Sequence, residues 1–371
     1  MGRLSLVVAE KIMETADTCS LRLKLPEDAA EPFDYQPGQF VHVRGTVNGA
    51  EVERSYSISS TPALDPYLQL TIKRIDGGAL SPLLVEQVAP GAMVEVSEPQ
   101  GRFFEAPEDT PHHFLLVGAG SGVTPLYSIL RWLLLRGAGH EVTLIYASRH
   151  EDGIIFRNAL ERLIADHPDA LRVVHVLTRP SDAWMGERGR LDRARLAEIL
   201  SAHAPHGNLP EIAYLCGPTA FMDEAATALS ERGLADRDIR RESYEVAEAV
   251  NASELDDART VRILPEGADE NDAPSAPCES VTVRIDGEEH EISVEPQETL
   301  LSALQRAGVD APFSCQEGTC LSCMCRVEAG ALRMKRHELL GLTPDDLGEG
   351  IALACLSRPD SARGKVSFED V

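Results

Sequence analysis

Four cysteines constrain this 371-residue chain more than any other feature: Cys315, Cys320 and Cys323, spaced Cys-x4-Cys-x2-Cys, and Cys355 in Ala354-Cys355-Leu356. Three thiolates on one tight loop and a fourth from a distant segment are the spacing that wraps plant-type [2Fe–2S] clusters. Such a loop turns with its N–H groups towards sulfur, which suits Gly318 and Thr319, because glycine permits unusual backbone angles. A zinc site and buried free thiols are the rival readings. Zinc favours paired Cys-x2-Cys elements, and one such pair is present here. Cys325 is expected to point elsewhere as a small buried residue, with Cys19 and Cys278 incidental.

The N-terminus lacks the basic-then-apolar pattern of a signal peptide. The eight cysteines are therefore expected in a reducing, cytoplasmic compartment, where clustered cysteines bind metal more often than they form disulfides. A formal net charge of −25 makes nucleic acid and anionic membranes poor partners. Solubility is one reading of that charge, and a docking surface for a basic partner is the other. The most apolar window, Phe114–Leu135, is broken by Gly118, Gly120, Gly122 and Pro125, so it reads as a buried strand, a turn and a helix rather than a membrane span.

The first hundred residues hold short strands at Leu4–Val8, Ser20–Leu25, Phe40–Val43, Ser55–Ser59, Leu68–Lys73 and Met93–Val96. Turn signals such as Pro37-Gly38 and Pro90-Gly91 separate them, which predicts a closed or sandwich-like antiparallel structure. From about residue 113, apolar runs at His113–Val117, Val142–Ala147, Leu171–Leu177 and Ile212–Leu215 alternate with helices near 123–136, 154–165, 192–201 and 219–232. That alternation predicts a doubly wound parallel sheet. Residues Glu245–Cys278 carry nine acidic against two basic residues and read as a mobile, self-repelling linker. A hairpin around Asp286-Gly287 and a helix Thr299–Arg306 then lead into the cysteine loop. The expected domains are 1–108, 109–245, a linker 246–278, and 279–371.

Three further motifs carry chemistry. In Arg54-Ser55-Tyr56-Ser57 a guanidinium suits phosphate, an aromatic two residues on shares its strand face, and a hydroxyl can meet a ring nitrogen. An exposed strand often looks the same. Gly118-x-Gly120-x-Gly122-x-x-Pro125, with Thr124 inside it, follows an apolar strand and opens a helix, the placement of a phosphate-binding turn. It departs from the G-x-G-x-x-G spacing, and a tight structural turn is the plain alternative. Cys216-Gly217-Pro218 ends a later strand, where sites of open α/β sheets gather, although a buried strand-end cysteine would look alike.

In this order and approximate spacing, the motifs of residues 1–245 resemble the ferredoxin–NADP reductase superfamily, and Glu242-x-Tyr244 is similar to its last strand. The resemblance implies an antiparallel β-barrel for the flavin and an α/β sheet for the nicotinamide. It implies that Arg54, Ser55, Tyr56 and Ser57 hold the flavin, with Ser57 near its reactive nitrogen and Lys73 grouped among the flavin contacts. Gly78-x-x-Ser81 looks like the turn that meets the flavin pyrophosphate, which favours FAD over FMN. Cys216 and Glu242 would lie near the nicotinamide and act with Ser57 in catalysis, and Tyr244 is similar to the aromatic that covers the flavin. Residues from about 280 resemble plant-type ferredoxins, which implies an α+β β-grasp fold ligating its cluster through Cys315, Cys320, Cys323 and Cys355.

The domain order, with Cys315-Gln-Glu-Gly-Thr-Cys320 and Cys355-Leu-Ser-Arg-Pro359, resembles reductase components of bacterial oxygenases of the ketosteroid 9α-hydroxylase and phenylacetyl-CoA epoxidase type. The implied activity is transfer of electrons from NADPH or NADH through FAD and the cluster to a terminal oxygenase, Rieske-type or di-iron, by a monomer. An electron-transfer subunit or redox sensor of another enzyme, and a stand-alone NAD(P)H oxidase or diaphorase, are the competing functions. Ser148-Arg149 follows the second parallel strand, where a hydroxyl and a guanidinium suit a 2′-phosphate; Arg179 and Arg190 add charge, tilting the choice towards NADPH over a merely solvated loop.

Overall fold

The computed structural model describes residues 3–25, 35–107, 110–136, 138–203, 210–242, 260–269, 275–285, 287–295, 298–309, 311–313, 318, 321, 323–335 and 342–369. They form two compact units, residues 1–244 and 245–371.

The first unit opens with β1 (Arg3–Thr15), β2 (Thr18–Lys24), β3 (Phe40–Val47), β4 (Ala50–Ser57), β5 (Tyr67–Lys73), a short helix α1 (Ser81–Glu86) and β6 (Met93–Ser97). These strands make an antiparallel sheet in the order β4-β3-β6-β1-β2-β5. A bridge from Ile58, just past β4, to Leu70 of β5 curls the two edges together into the expected barrel. Alternate side chains such as Leu6, Val8, Leu21, Leu23, Val41 and Val43 fill its interior.

Next come β7 (His113–Ala119), α2 (Val123–Arg136), β8 (Glu141–Ser148), α3 (Arg157–Asp166), β9 (Leu171–Leu177), β10 (Glu187–Arg188), α4 (Arg193–His203), β11 (Ile212–Cys216), α5 (Thr219–Glu231) and β12 (Ile239–Glu242). The sheet order is β10-β9-β8-β7-β11-β12, with every pair parallel. Helices cover both faces, so β7 and β8 are near-continuous apolar runs, as fully buried parallel strands require. The chain steps from β7 outwards through β8 and β9, then returns to the other side of β7 at β11. The crevice between β7 and β11 is thus the topological switch point, where ligands of such sheets bind. The helix expected from 154 begins at Arg157, because Phe156 takes a left-handed backbone (φ 60°) that interrupts the helical run. Among the described residues no helix is long and apolar enough to cross a membrane.

His175 on β9 illustrates how this sheet responds to acid. Burial first, then the Arg157 charge, hold its imidazole down at about 4 against an ordinary 6.5. Its Nδ1 is buried without a hydrogen-bond partner among the described residues. The folded state keeps this ring neutral while the unfolded chain protonates it near 6.5. The associated stability is therefore complete above pH 6.5 and is lost as pH falls towards 4. Denaturant unfolding of the native chain at pH 7 and pH 5, compared with His175→Leu, is expected to show an extra loss of about 1–2 kcal/mol in the native chain. Equal pH dependence in both would refute the assignment.

The second unit contains β13 (Thr260–Ile263), β14 (Ser280–Ile285), β15 (Glu288–Ile292), α6 (Leu300–Arg306), β16 (Met324–Ala329), β17 (Leu332–Lys335), α7 (Pro344–Gly348), β18 (Ile351–Leu353), β19 (Ser357–Pro359) and β20 (Arg363–Ser367). A mixed sheet β15-β14-β20-β16-β18 packs against α6, whose Leu300, Leu301 and Leu304 are buried, as expected of a β-grasp. Thr299 caps α6 by accepting from the Ser302 N–H.

One expectation needs correction. The acidic stretch 246–278 is not linker throughout. Residues 260–263 form β13, which pairs antiparallel with β17, and Ile263 is buried in this unit's core. Arg262 on β13 donates to Asp360 at 2.7 Å, where Arg333 (3.0 Å) and Ser275 (2.7 Å) also donate. The local run Thr-Val-Arg-Ile has strand character, which the acidic average of the surrounding segment conceals.

Candidate functional site

The nucleotide motif folds as its spacing requires. Gly118 and Ala119 end β7, Gly120–Gly122 make a tight turn, and α2 starts at Val123. A Cβ on Gly122 would lie 2.1 Å from the Cys216 carbonyl oxygen and 2.5 Å from its carbon, so only glycine lets the two strand ends come this close. Gly120 is the opposite case. Its backbone is left-handed (φ 57°) and a Cβ there would meet nothing within 4 Å, which leaves bare backbone facing open space at a helix N-terminus. Thr124 turns inwards and donates to the Ser121 carbonyl at 2.9 Å, tying the first turn of the helix to the glycine turn, and Pro125 is buried in the first turn. The Tyr146 hydroxyl donates to the Gly120 carbonyl at 2.9 Å and fixes the turn against β8.

Strand register assembles the rest. Cys216 sits opposite Gly118 on one side and opposite Glu242 on the other, so the three form a row across the carboxyl ends of β7, β11 and β12. Cys216 is fully buried and Glu242 is 4% exposed. Gly217 packs against Phe221 and Ala119, and the Pro218 carbonyl accepts from the Phe221 N–H as α5 begins. Ser148 is buried at the end of β8, while Arg149 and Arg179 are exposed on neighbouring strand ends, joined by the Arg179 N–H to the Arg149 carbonyl at 2.8 Å. Arg190 is exposed on the following loop.

On the barrel, β3 pairs with β4 so that Arg54, Tyr56 and Ser57 end the strand nearest Phe40. Arg54 is exposed and Ser57 buried. Burial pushes the Tyr56 phenol up, with the Arg54 charge opposing. Ser55 is spoken for: its hydroxyl meets His42 Nδ1 at 3.1 Å. His42 is a buried partner that the sequence reading missed; burial holds its imidazole low, against the nearby Glu53. Gly78 and Ser81 face one another in a turn where the Ile75 N–H donates to Ser81 Oγ at 3.1 Å. Lys73 pairs with Asp17 at 3.4 Å. Burial raises the Asp17 carboxyl, but the Thr15 hydrogen bond and the Lys73 charge bring it below the ordinary value. Tyr244 lies outside the described residues.

In the second unit, the antiparallel pairing of β16 with β18 brings Cys323 and Cys355 together. Both are buried, and the Ala354 N–H donates to the Cys323 carbonyl at 2.9 Å. Gly318 and Leu321 both adopt left-handed backbones (φ 82° and 62°), the unusual angles expected of this loop. Cys315 and Cys320 lie outside the described residues. Cys325 is fully buried on β16, and burial pushes its thiol far up, so it behaves as a core side chain.

Family models match three successive stretches: an oxidoreductase FAD-binding domain at residues 5–104, an oxidoreductase NAD-binding domain at 116–227 and a 2Fe-2S iron-sulfur cluster binding domain at 283–360. The chain is 35% identical to the 3-ketosteroid-9-alpha-monooxygenase ferredoxin reductase component of Rhodococcus rhodochrous, covering 98% of this chain and 96% of that one. It is 31% identical to one of the subunits of 1,2-phenylacetyl-CoA epoxidase of Escherichia coli strain K12, covering 98% and 97%. Phthalate dioxygenase reductase shares the fold, with a TM-score of 0.55 at 23% identity over 99% of this chain and 98% of that one.

Proposed function

Because the chain belongs to the family of FAD- and [2Fe–2S]-bearing reductase components of oxygenases, we propose that it supplies a terminal oxygenase with electrons from NADPH, using the residue roles below. When held by these residues, the flavin would supply a hydride acceptor and the cluster a one-electron carrier, the chemistry needed to turn a two-electron donor into a one-electron supply. The observation that carries the residue roles is the row Gly118–Cys216–Glu242 at the switch point of the parallel sheet.

The open backbone at Gly120 and the N-terminus of α2 receive the pyrophosphate. Cys216 and Glu242 border the nicotinamide and shield it from water. Arg54 neutralises flavin phosphate, Tyr56 lies against the ring system, and Ser57 donates to its reactive edge. Gly78 and Ser81 meet the FAD pyrophosphate. Ser55 and Lys73 act through their protein partners, His42 and Asp17, rather than on the flavin. Cys323 and Cys355 supply two thiolates, joined by Cys315 and Cys320.

Arg149 and Arg179 support NADPH as the preferred donor. Both are exposed on adjoining strand ends, and among the described residues neither has an ion-pair partner. Arg149→Ala is expected to raise KM for NADPH about 10-fold while leaving NADH within about twofold. A parallel rise for both would remove the 2′-phosphate role. The overall proposal is tested by anaerobic titration with NADPH and NADH, followed by mixing with a purified oxygenase. Bleaching of flavin and then cluster absorbance, with single electrons delivered to the oxygenase, is the expected result. A flavin that neither nucleotide reduces would sink it.

A further inference from the structure

Within the first unit, the loop that leaves the flavin strand β4 meets the helix that leaves the nucleotide turn. On α2, Leu126, Leu130 and Leu133 join the apolar core beside the parallel sheet. Ser128 and Arg131, nearly one turn apart, instead meet residues 60–65. The Ser128 hydroxyl donates to the Ser60 carbonyl at 2.6 Å, and the Thr61 hydroxyl donates to the Ser128 carbonyl at 3.3 Å. Arg131 makes a two-pronged contact with Asp65, Nη2 to Oδ1 at 3.0 Å and Nη1 to Oδ2 at 2.5 Å. The side chains of Arg131 and Asp65 are 19% and 7% exposed. Asp65 Oδ2 also accepts from the Thr61 N–H at 2.8 Å, so one carboxylate braces its own loop and grips the helix.

A partly buried pair of this kind is weak evidence for stability, because desolvation offsets much of the attraction. Its two-pronged geometry gives register instead. Ser57 lies eight residues before Asp65 along the loop, and Gly122 lies nine residues before Arg131 along the helix. Both segments between are buried over most of their length. We propose that Asp65 and Arg131 are positioning residues for hydride transfer, clamping the nucleotide turn in register with the flavin strand. This inference rests on the residue roles proposed above. The seam is locked, and nucleotide binding does not need to close it.

The test uses flavin-loaded Asp65→Asn, Arg131→Met, the double variant and Arg131→Lys, with Ser128→Ala as a milder change should a larger one fold poorly. Rapid-mixing reduction by NADPH is followed together with the long-wavelength absorbance of reduced nicotinamide stacked on oxidised flavin, and hydrogen exchange reports on α2. Loss of register is expected to lower the limiting rate about 10- to 100-fold, weaken that absorbance and leave the nucleotide Kd within about threefold. The double variant should be no slower than the slower single, since both remove one contact, and Arg131→Lys should recover part of the rate. Native rate and absorbance in the single variants, despite faster exchange in α2, would overturn the inference. A native chain that binds flavin yet takes hydride from neither nucleotide would overturn the roles proposed above and this inference with them.

Discussion

Gly122→Ala is expected to slow flavin reduction by either nucleotide at least about 100-fold and to lower stability by about 3 kcal/mol. The added methyl would meet the Cys216 carbonyl oxygen at 2.1 Å, its carbon at 2.5 Å and the Gly217 nitrogen at 2.9 Å. All three are backbone atoms, so no rotamer change relieves the overlap. Relief requires β11 to move away from the turn, and β11 holds Cys216 in register with Gly118 and Glu242. The row at the switch point therefore breaks with the turn. Gly120→Ala separates the two effects. Its Cβ has open space, and its left-handed backbone costs an alanine only about 1 kcal/mol. The same Cβ projects into the space assigned to pyrophosphate, so nucleotide Kd should weaken while thermal unfolding changes little. Rapid-mixing kinetics and denaturant unfolding of both variants check the pair. Gly122→Ala with native hydride uptake would mean that nucleotide binds elsewhere.

The glycine turn was legible because it combines two local signals, an apolar strand before it and a helix after it. The helix expected at 123–136 is α2 itself. Cys216 and Glu242 are harder to join from sequence. Each ends an unremarkable short strand, and only the parallel pairing of β11 with β7 and β12 puts them in one row. Asp65 and Arg131 gave no signal at all. An aspartate in a Pro-Ala-Leu-Asp-Pro loop and an arginine on an apolar helix look like solvated charges until tertiary packing buries them together. The segment 245–278 misled through its average. Counting charge over its whole length hid a four-residue strand whose Arg262 packs against Asp360. Strand β10, two residues long, lies below any periodic signal.

Cys355→Ser is expected to abolish cluster absorbance and iron retention while leaving flavin reduction by nucleotide within about twofold; transfer to a one-electron protein acceptor should fall at least about 100-fold. The separation follows from the cores. The buried cluster that contains Cys323 and Cys355 shares no residue with the barrel and nucleotide cores of the first unit. Serine keeps the size of the side chain but gives iron a far weaker, ordinarily protonated oxygen in place of thiolate. Cys320→Ser should match it, since both remove one of the four proposed ligands. Cys325→Ser is the control. Its thiol is fully buried and pushed towards the protonated form, so the variant places a hydroxyl in an apolar site, costs about 1–3 kcal/mol and retains the cluster. Iron and acid-labile sulfide content, with parallel flavin-reduction and protein-acceptor assays, distinguishes the three. If flavin reduction collapsed together with the cluster in Cys355→Ser, hydride uptake would depend on the second unit and the division of labour between the units would be wrong. If Cys325→Ser alone lost iron, Cys325 would have to replace one of the proposed ligands, against its complete burial in the core of the second unit.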